Sequence, residues 1–115
     1  MYKKSNQLLE RALKSIPLAS QTFSKSLTQY PKGASPFFIE RGKGAIVWDV
    51  DGNEYIDFVN SLAAVTLGYC DADIDKAVQS QMSKGVTFSL PHPLEMEVAE
   101  KLIEIIPCAE KVRFA

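Results

Sequence analysis

Residues 36–59 read Pro36-Phe-Phe-Ile-Glu-Arg-Gly-Lys-Gly-Ala-Ile-Val-Trp-Asp-Val-Asp-Gly-Asn-Glu-Tyr-Ile-Asp-Phe-Val59, and the rest of the chain is organised around them. Apolar runs at Phe37 to Ile39, Ile46 to Val50 and Tyr55 to Val59 are separated by Arg41-Gly42-Lys43-Gly44 and by Asp51-Gly52-Asn53. That punctuation predicts a three-stranded antiparallel meander. Side chains alternate along a strand, so Ile46, Trp48 and Val50 share one face and Val47 and Asp49 the other. Asp51-Gly52 marks the second hairpin, because such a turn needs a positive φ that Gly adopts freely. A sheet this small needs a helix or second sheet over its apolar face.

The flanks offer helices. On the N-terminal side Ser5 is placed to cap a helix in which Leu8, Leu9, Ala12, Leu13 and Ile16 repeat at helical spacing until Pro17. Periodicity leaves open whether this arm packs on its own domain or on a partner subunit. Residues 18–35 are rich in Ser and Thr, with Pro31 and Gly33, and no period holds; they predict a long irregular loop, anchored by Phe23, Leu27 and Tyr30, whose hydroxyls and amides line a site.

Beyond the meander, Asn60 to Tyr69 is small, apolar and closed by Gly68, which fits either core or a pocket wall. Asp71 or Asp73 caps a helix with Ile74, Ala77, Val78 and Met82 on one face and Gly85 past its end. After the turn Val86 to Pro93, a third helix aligns Leu94, Val98, Leu102 and Ile105, pairs Glu97 with Lys101, and stops at Pro107. Lys111 to Ala115 reads as the start of a further strand that ends without turn or polar tail, as part of something longer. The class is α+β: an N-terminal helix, the meander, two helices and that strand.

The 115 residues are 46% hydrophobic and 23% charged, with a net charge of -1, the composition of an ordinary soluble unit. No basic cluster provides a footprint for nucleic acid or an anionic membrane. No apolar run reaches the ~18 residues of a spanning helix, and the N-terminus lacks a signal peptide's apolar core, so a cytoplasmic protein is expected. Cys70 and Cys108 stand in no ligand-like spacing and read as two buried thiols. Asp49, Asp51 and Asn53 imitate a calcium loop, but Glu54 and Asn60 fall where that loop needs Gly and Glu. His92, the single histidine, lies between two prolines and fits a cap or a packing role better than catalysis. Gly42-Lys43-Gly44 lacks the remaining residues of a phosphate loop. From these residues alone no metal site and no self-contained active site emerge.

Taken in order, residues 35–59, Leu67 to Val78 (LGYCDADIDKAV), Phe88 to Pro107 (FSLPHPLEMEVAEKLIEIIP) and the strand KVRFA resemble the N-terminal part of class III aminotransferases. The group nearest in pattern is that related to glutamate-1-semialdehyde aminomutase. The resemblance implies the fold type I α/β architecture, a homodimer with active sites at the subunit interface, and pyridoxal 5'-phosphate, whose lysine Schiff base and electron-sink ring carry the chemistry. It implies a small-domain segment over residues 1–107, with arm helix and pocket loop, and a first strand over 108–115 leading into the cofactor-binding domain.

The family's Schiff-base lysine and phosphate loop come later than Ala115, so no catalytic residue is assigned in this chain, and the segment alone is expected to be inactive and not to hold the cofactor. By the same resemblance the substrate pocket takes Ser24, Lys25, Ser61, Leu62, Phe88 and Ser89. Leu27 falls where the aminomutases have a carboxylate-binding Arg, and Leu62 replaces a pocket Trp. Tyr69 and Asp71 stand where the family often has two histidines. A Leu cannot grip an anion as a guanidinium does, so a substrate other than glutamate semialdehyde is expected unless Lys25 supplies the charge. The implied function is amino transfer from an amino donor to a keto or aldehyde acceptor. The alternatives are the aminomutase reaction itself, or a non-catalytic binding module if the chain is complete.

Overall fold

The computed structural model describes residues 1–114. The chain forms two compact units, Met1–Asp75 and Lys76–Ala115.

The first unit is built on the expected meander, with β1 (Ile39–Lys43), β2 (Ile46–Asp49) and β3 (Glu54–Ile56) in the order β1-β2-β3, all antiparallel. Lys43 pairs with Ile46 across a two-residue turn, where Gly44 takes a φ of 55°. Arg41 and Lys43 therefore belong to the first strand rather than to its turn. A register shift between Ile39 and Arg41 bulges β1, and Arg41 lays its guanidinium over its cross-strand partner Trp48, 3.7 Å from the ring centroid. Of the two faces of β2, the one carrying Val47 and Asp49 is buried, while Ile46 and Trp48 are half-buried.

The arm helix α1 spans Lys3–Ala12 and buries Ser5 and Leu9. Ser5 is not its cap: it lies inside the first turn, fully buried, and its hydroxyl accepts the Phe37 amide at 3.0 Å. The capping acceptor is instead the Asp51 carboxylate, which takes the Lys4 amide at 2.7 Å and the Ser5 amide at 2.9 Å. The helix ends before Pro17 is reached. Its last turn tightens through Lys14, Ser15 and Ile16 because a residue preceding proline is driven out of the helical region, and Ile16 is extended at φ -128°. Leu13 and Ile16 of the expected apolar stripe are exposed.

Residues 18–35 are irregular, as expected, apart from short 3₁₀ turns at Pro17–Ala19 and Phe23–Lys25. Of the expected anchors Leu27 and Tyr30 are half-buried and Phe23 is 65% exposed, and the buried residues of the loop are Ala19 and Ser26.

After β3 comes α2 (Asn60–Ala63), a single turn in the left-handed region, and then α3 (Ala72–Met82). Asp71, not Asp73, caps α3, its Oδ1 accepting the Asp73 and Ile74 amides at 3.1 Å each.

The second unit contains α4 (Pro93–Ile105), which His92 and Glu95 cap reciprocally: the Leu94 amide donates to His92 Nδ1 and the His92 amide to Glu95 Oε1. His92 thus caps, as its position implied, and its ring stacks on Phe88 at 5.5 Å. Lys101 pairs with Glu104 at 2.8 Å rather than with Glu97, on an exposed face where such a pair contributes little. Ile74, Val78 and Met82 of α3 and Leu94, Val98 and Ile105 of α4 do form stripes, but all are exposed. So are both cysteines, which were expected to be buried; their surroundings supply no apolar cover. Lys111 to Phe114 has no strand pairing, since a strand exists only against a neighbour and none of the described residues supplies one. Ala115, the end of that expected strand, lies outside the described residues.

Candidate functional site

Two carboxylates organise the end of the meander. Asp49 is fully buried, yet every lone pair is used: Oδ1 accepts the Asp51 amide at 2.9 Å and the Asn53 amide at 2.8 Å, and Oδ2 accepts Asn53 Nδ2 at 2.8 Å and the Tyr55 hydroxyl at 2.9 Å. Burial alone would raise its pKa. The hydrogen bonds from Asn53, Tyr55 and Asp51 outweigh it and hold the carboxyl below its ordinary value. Tyr55 is driven upward in turn by burial and by Tyr2 and Asp49 beside it. The Asp-x-Asp-Gly-Asn sequence is therefore a closed hydrogen-bonded knot with no ligand position left for a cation. Among the described residues no group of His, Cys, Asp and Glu is arranged to hold a metal.

The second carboxylate, Asp57, closes the following loop. Its Oδ1 accepts the Val59 amide at 2.9 Å and the Asn60 amide at 3.1 Å, and its Oδ2 accepts the Tyr69 hydroxyl at 2.6 Å. The Tyr69 hydrogen bond, assisted by the two amides and opposed by burial, lowers the Asp57 pKa; the same bond, with burial, pushes Tyr69 up to about 12. Tyr69 is also bound through its backbone, exchanging hydrogen bonds of 2.8 and 2.9 Å with Gly44. Its ring lies so near Gly42 that a Cβ there would sit 2.6 Å from it. Residues 58–68 are thus fastened at both ends.

Within that loop Asn60, Ser61, Leu62 and Ala63 take φ values of 52°, 47°, 56° and 70°. None is glycine, and such a conformation costs roughly 1–2 kcal/mol per residue. Strain of this kind persists only where the surroundings over-determine it. Here the Asp57 carboxylate and the Tyr69 anchor do so. The turn presents Ser61 and Leu62 to the outside, Leu62 at 73% exposure.

Of the other expected pocket residues, Ser24 and Lys25 lie together in the exposed Phe23–Lys25 turn, the Ser24 hydroxyl 3.1 Å from that of Thr22. No hydrogen bond among the described residues joins this pair to Ser61 or Leu62. Leu27 is half-buried. Phe88 and Ser89 belong to the second unit, in the exposed connection before α4. Grooves of about 300 Å³, lined by Leu8, Arg11, Ala12, Ser15 and Phe38, and about 380 Å³, along Ile16 to Phe23, are open and include none of the six expected pocket residues. Sequence reasoning missed Asp57 and Asp51 as organising groups and noted Tyr69 only as a departure from a pattern. The available signal was an Asp two residues before an amide-rich turn, which a side-chain-to-backbone turn requires.

Pyridoxal phosphate, which the resemblance implies, meets no enclosed lysine among the described residues. Every lysine of the chain is exposed, whereas the cofactor's carbonyl needs an amine in an enclosed pocket. The buried polar side chains are Ser5, Ser26 and Asp49, all already hydrogen-bonded within the protein.

A bulged meander that captures a preceding helix, followed by a fastened loop and two capped helices, is an arrangement with known counterparts. The class III aminotransferase model matches residues 29–115, and the chain belongs to that family. It is 42% identical over 110 residues to a protein named glutamate-1-semialdehyde 2,1-aminomutase 2 from Lachnoclostridium phytofermentans, covering 96% of this chain and 25% of that one. It is 45% identical over 82 residues to the glutamate-1-semialdehyde 2,1-aminomutase of Aquifex aeolicus, covering 71% and 19%. Among solved structures, an omega-transaminase from Sphaerobacter thermophilus superposes with a TM-score of 0.80 at 34% identity, over 93% of this chain and 23% of that one. The chain spans between 19% and 25% of the length of these relatives. The α+β arrangement is that of the fold type I transaminases.

Proposed function

We propose that this chain is the N-terminal part of a pyridoxal-phosphate-dependent aminotransferase that moves an amino group from an amino donor to a keto or aldehyde acceptor. The observation that carries the reading is the family match over residues 29–115, whose Trp48-to-Asp57 stretch is folded here as one hydrogen-bonded unit. When bound, the cofactor supplies the carbonyl that takes up the amine and the ring that withdraws electrons. Its lysine and phosphate-binding groups belong to sequence beyond residue 115. Residues 1–107 act as the small-domain segment and 108–115 as the first strand of the cofactor domain, in a cytoplasmic homodimer acting on small amino and keto compounds. The part of this chain is to supply pocket residues, Ser24, Lys25, Ser61 and Leu62 from the first unit and Phe88 and Ser89 from the second.

A second reading, the intramolecular amino shift of an aminomutase, is favoured by the names of the relatives at 42% and 45% identity. It is disfavoured by Leu27, which offers a substrate carboxylate no charge. The test is product formation by the complete gene product, loaded with pyridoxal phosphate, with and without an external amino donor. Transfer that requires the donor supports the first reading, and isomerisation of glutamate semialdehyde without one supports the second. A complete product of 12.7 kDa that keeps no cofactor absorbance after dialysis would refute both in favour of a binding module.

A further inference from the structure

The left-handed turn Asn60–Ala63 is the most strained part of the chain, and it carries two of the six pocket residues. Beside the turn's own backbone bonds and the Thr66 hydroxyl on the Ala63 carbonyl at 2.7 Å, the side chains that hold it converge on one pair. Asp57 Oδ1 takes the amides of Val59 and Asn60 at the turn's entrance, and Asp57 Oδ2 takes the Tyr69 hydroxyl at its exit, at 2.6 Å. Tyr69 is in turn fixed to the β1–β2 turn by its double backbone exchange with Gly44 and to β1 by its ring against Gly42. Leu62 on the turn and Phe58 and Leu67 beside it are apolar and exposed, so among the described residues no packing of these side chains holds the turn.

We infer that Asp57 and Tyr69 are positioning residues for substrate selection: their carboxylate–phenol bond fixes the strained turn, and with it the place at which Leu62 meets the apolar part of an amine substrate. The inference rests on the proposed aminotransferase function and deepens it. Leu62 touches the substrate; Asp57 and Tyr69 act through it. Loss of the phenol oxygen unlinks the Asp57 carboxylate at the turn's entrance from Tyr69, which stays on Gly44 through its backbone; the turn, no longer closed from entrance to exit, relaxes toward right-handed backbone angles and moves Leu62 away. Substrates bound through that contact then lose affinity, while the chemical step at the cofactor is left as it was.

The test uses the complete, cofactor-loaded enzyme and Tyr69→Phe, which removes the hydroxyl but keeps the ring on Gly42. The first readout, independent of activity, is amide hydrogen exchange, where peptides covering residues 58–68 should exchange about tenfold faster with Trp48 to Ile56 unchanged. The second is the ratio of kcat/KM for 1-phenylethylamine to that for alanine. It should fall about tenfold, through KM rather than kcat, with the bound cofactor's absorbance unaltered. Leu62→Ala serves as the reference for the pocket wall. Unchanged exchange in residues 58–68 overturns the inference. So does a ratio that shifts in Leu62→Ala and not in Tyr69→Phe. A ratio indifferent to both variants, in an enzyme that still transfers amino groups, overturns it and leaves the function standing. A wild-type enzyme that transfers no amino group refutes the function and the inference together. Should Tyr69→Phe not fold, Asp57→Asn carries the same two readouts with the same outcomes.

Discussion

Replacing Asp51 with Ala should loosen the arm helix and little else. Two first-turn amides of α1, those of Lys4 and Ser5, lie at 2.7 and 2.9 Å from its carboxylate oxygens. Loss of a side-chain cap costs about 1 kcal/mol. Loss of a negative charge at a helix N-terminus adds about 0.5 kcal/mol in a half-buried setting. The sum, about 1.5 kcal/mol, is close to a tenfold change in an equilibrium constant. Amide exchange in α1 reads that opening directly, because a short helix held by a few contacts opens locally before the whole unit does. The α1 amides should therefore exchange about tenfold faster in Asp51→Ala. In Asp51→Asn, which keeps one of the two acceptors and loses the other with the charge, the acceleration should be about fivefold. The Asp49 knot should be untouched, since it takes the backbone amide of residue 51 and not its side chain. Equal exchange in α1 for wild type and Asp51→Ala would refute the capping argument. So would acceleration spread evenly over β2 and β3, which would make Asp51 a residue of its own hairpin only.

Two glycines separate steric cost from backbone cost. Gly42→Ala places a Cβ 2.6 Å from the Tyr69 ring and should destabilise the protein by about 1–3 kcal/mol, whereas Gly44→Ala meets open space and should cost about 1 kcal/mol through its φ of 55° alone; thermal melting of both variants checks the order. The titrating groups give opposite flanks to the pH profile of unfolding. Asp49 and Asp57 have depressed folded-state values, so their stabilisation is complete above about pH 4, the free aspartate range, and is lost as pH falls through the folded values. Tyr69 is raised to about 12, so its contribution is complete below about pH 10 and is lost as pH climbs through about 12. Denaturant titrations should show the acid limb flattened in Asp49→Asn and the alkaline limb flattened in Tyr69→Phe.

What the sequence revealed was local, and what it hid was distant. The meander was legible because alternation and the Asp51-Gly52 turn are decided within a few residues. The capped helices α3 and α4 were legible for the same reason, as was the capping position of His92. The Ser5 assignment failed because the real acceptor, Asp51, is 46 residues away from the amide it takes. No local pattern announces a cap supplied by another element. The left-handed turn at Asn60–Ala63 was invisible because its residues carry no glycine and are held there by Asp57 and Tyr69, again across the loop. The cysteines and the stripes of α3 and α4 were expected to be covered, since hydrophobic periodicity reports which face seeks burial and not what provides it. The residues expected to line a pocket were reached only through resemblance. The structure adds that Ser61 and Leu62 share one rigid turn and that Ser24 and Lys25 share another.

The distance between α1 and the carboxylate that caps it also orders events during synthesis. The ten residues Lys3–Ala12 leave the ribosome before Asp51 does, and a helix of that length is marginal in water by itself. Its acceptor follows 46 to 47 residues later, which at roughly 5–20 residues per second is a delay of several seconds. Throughout that interval the arm is an open chain with its apolar side chains unburied. Whatever grips nascent segments at the tunnel exit can hold the arm until the Asp51 hairpin arrives to close over its amides.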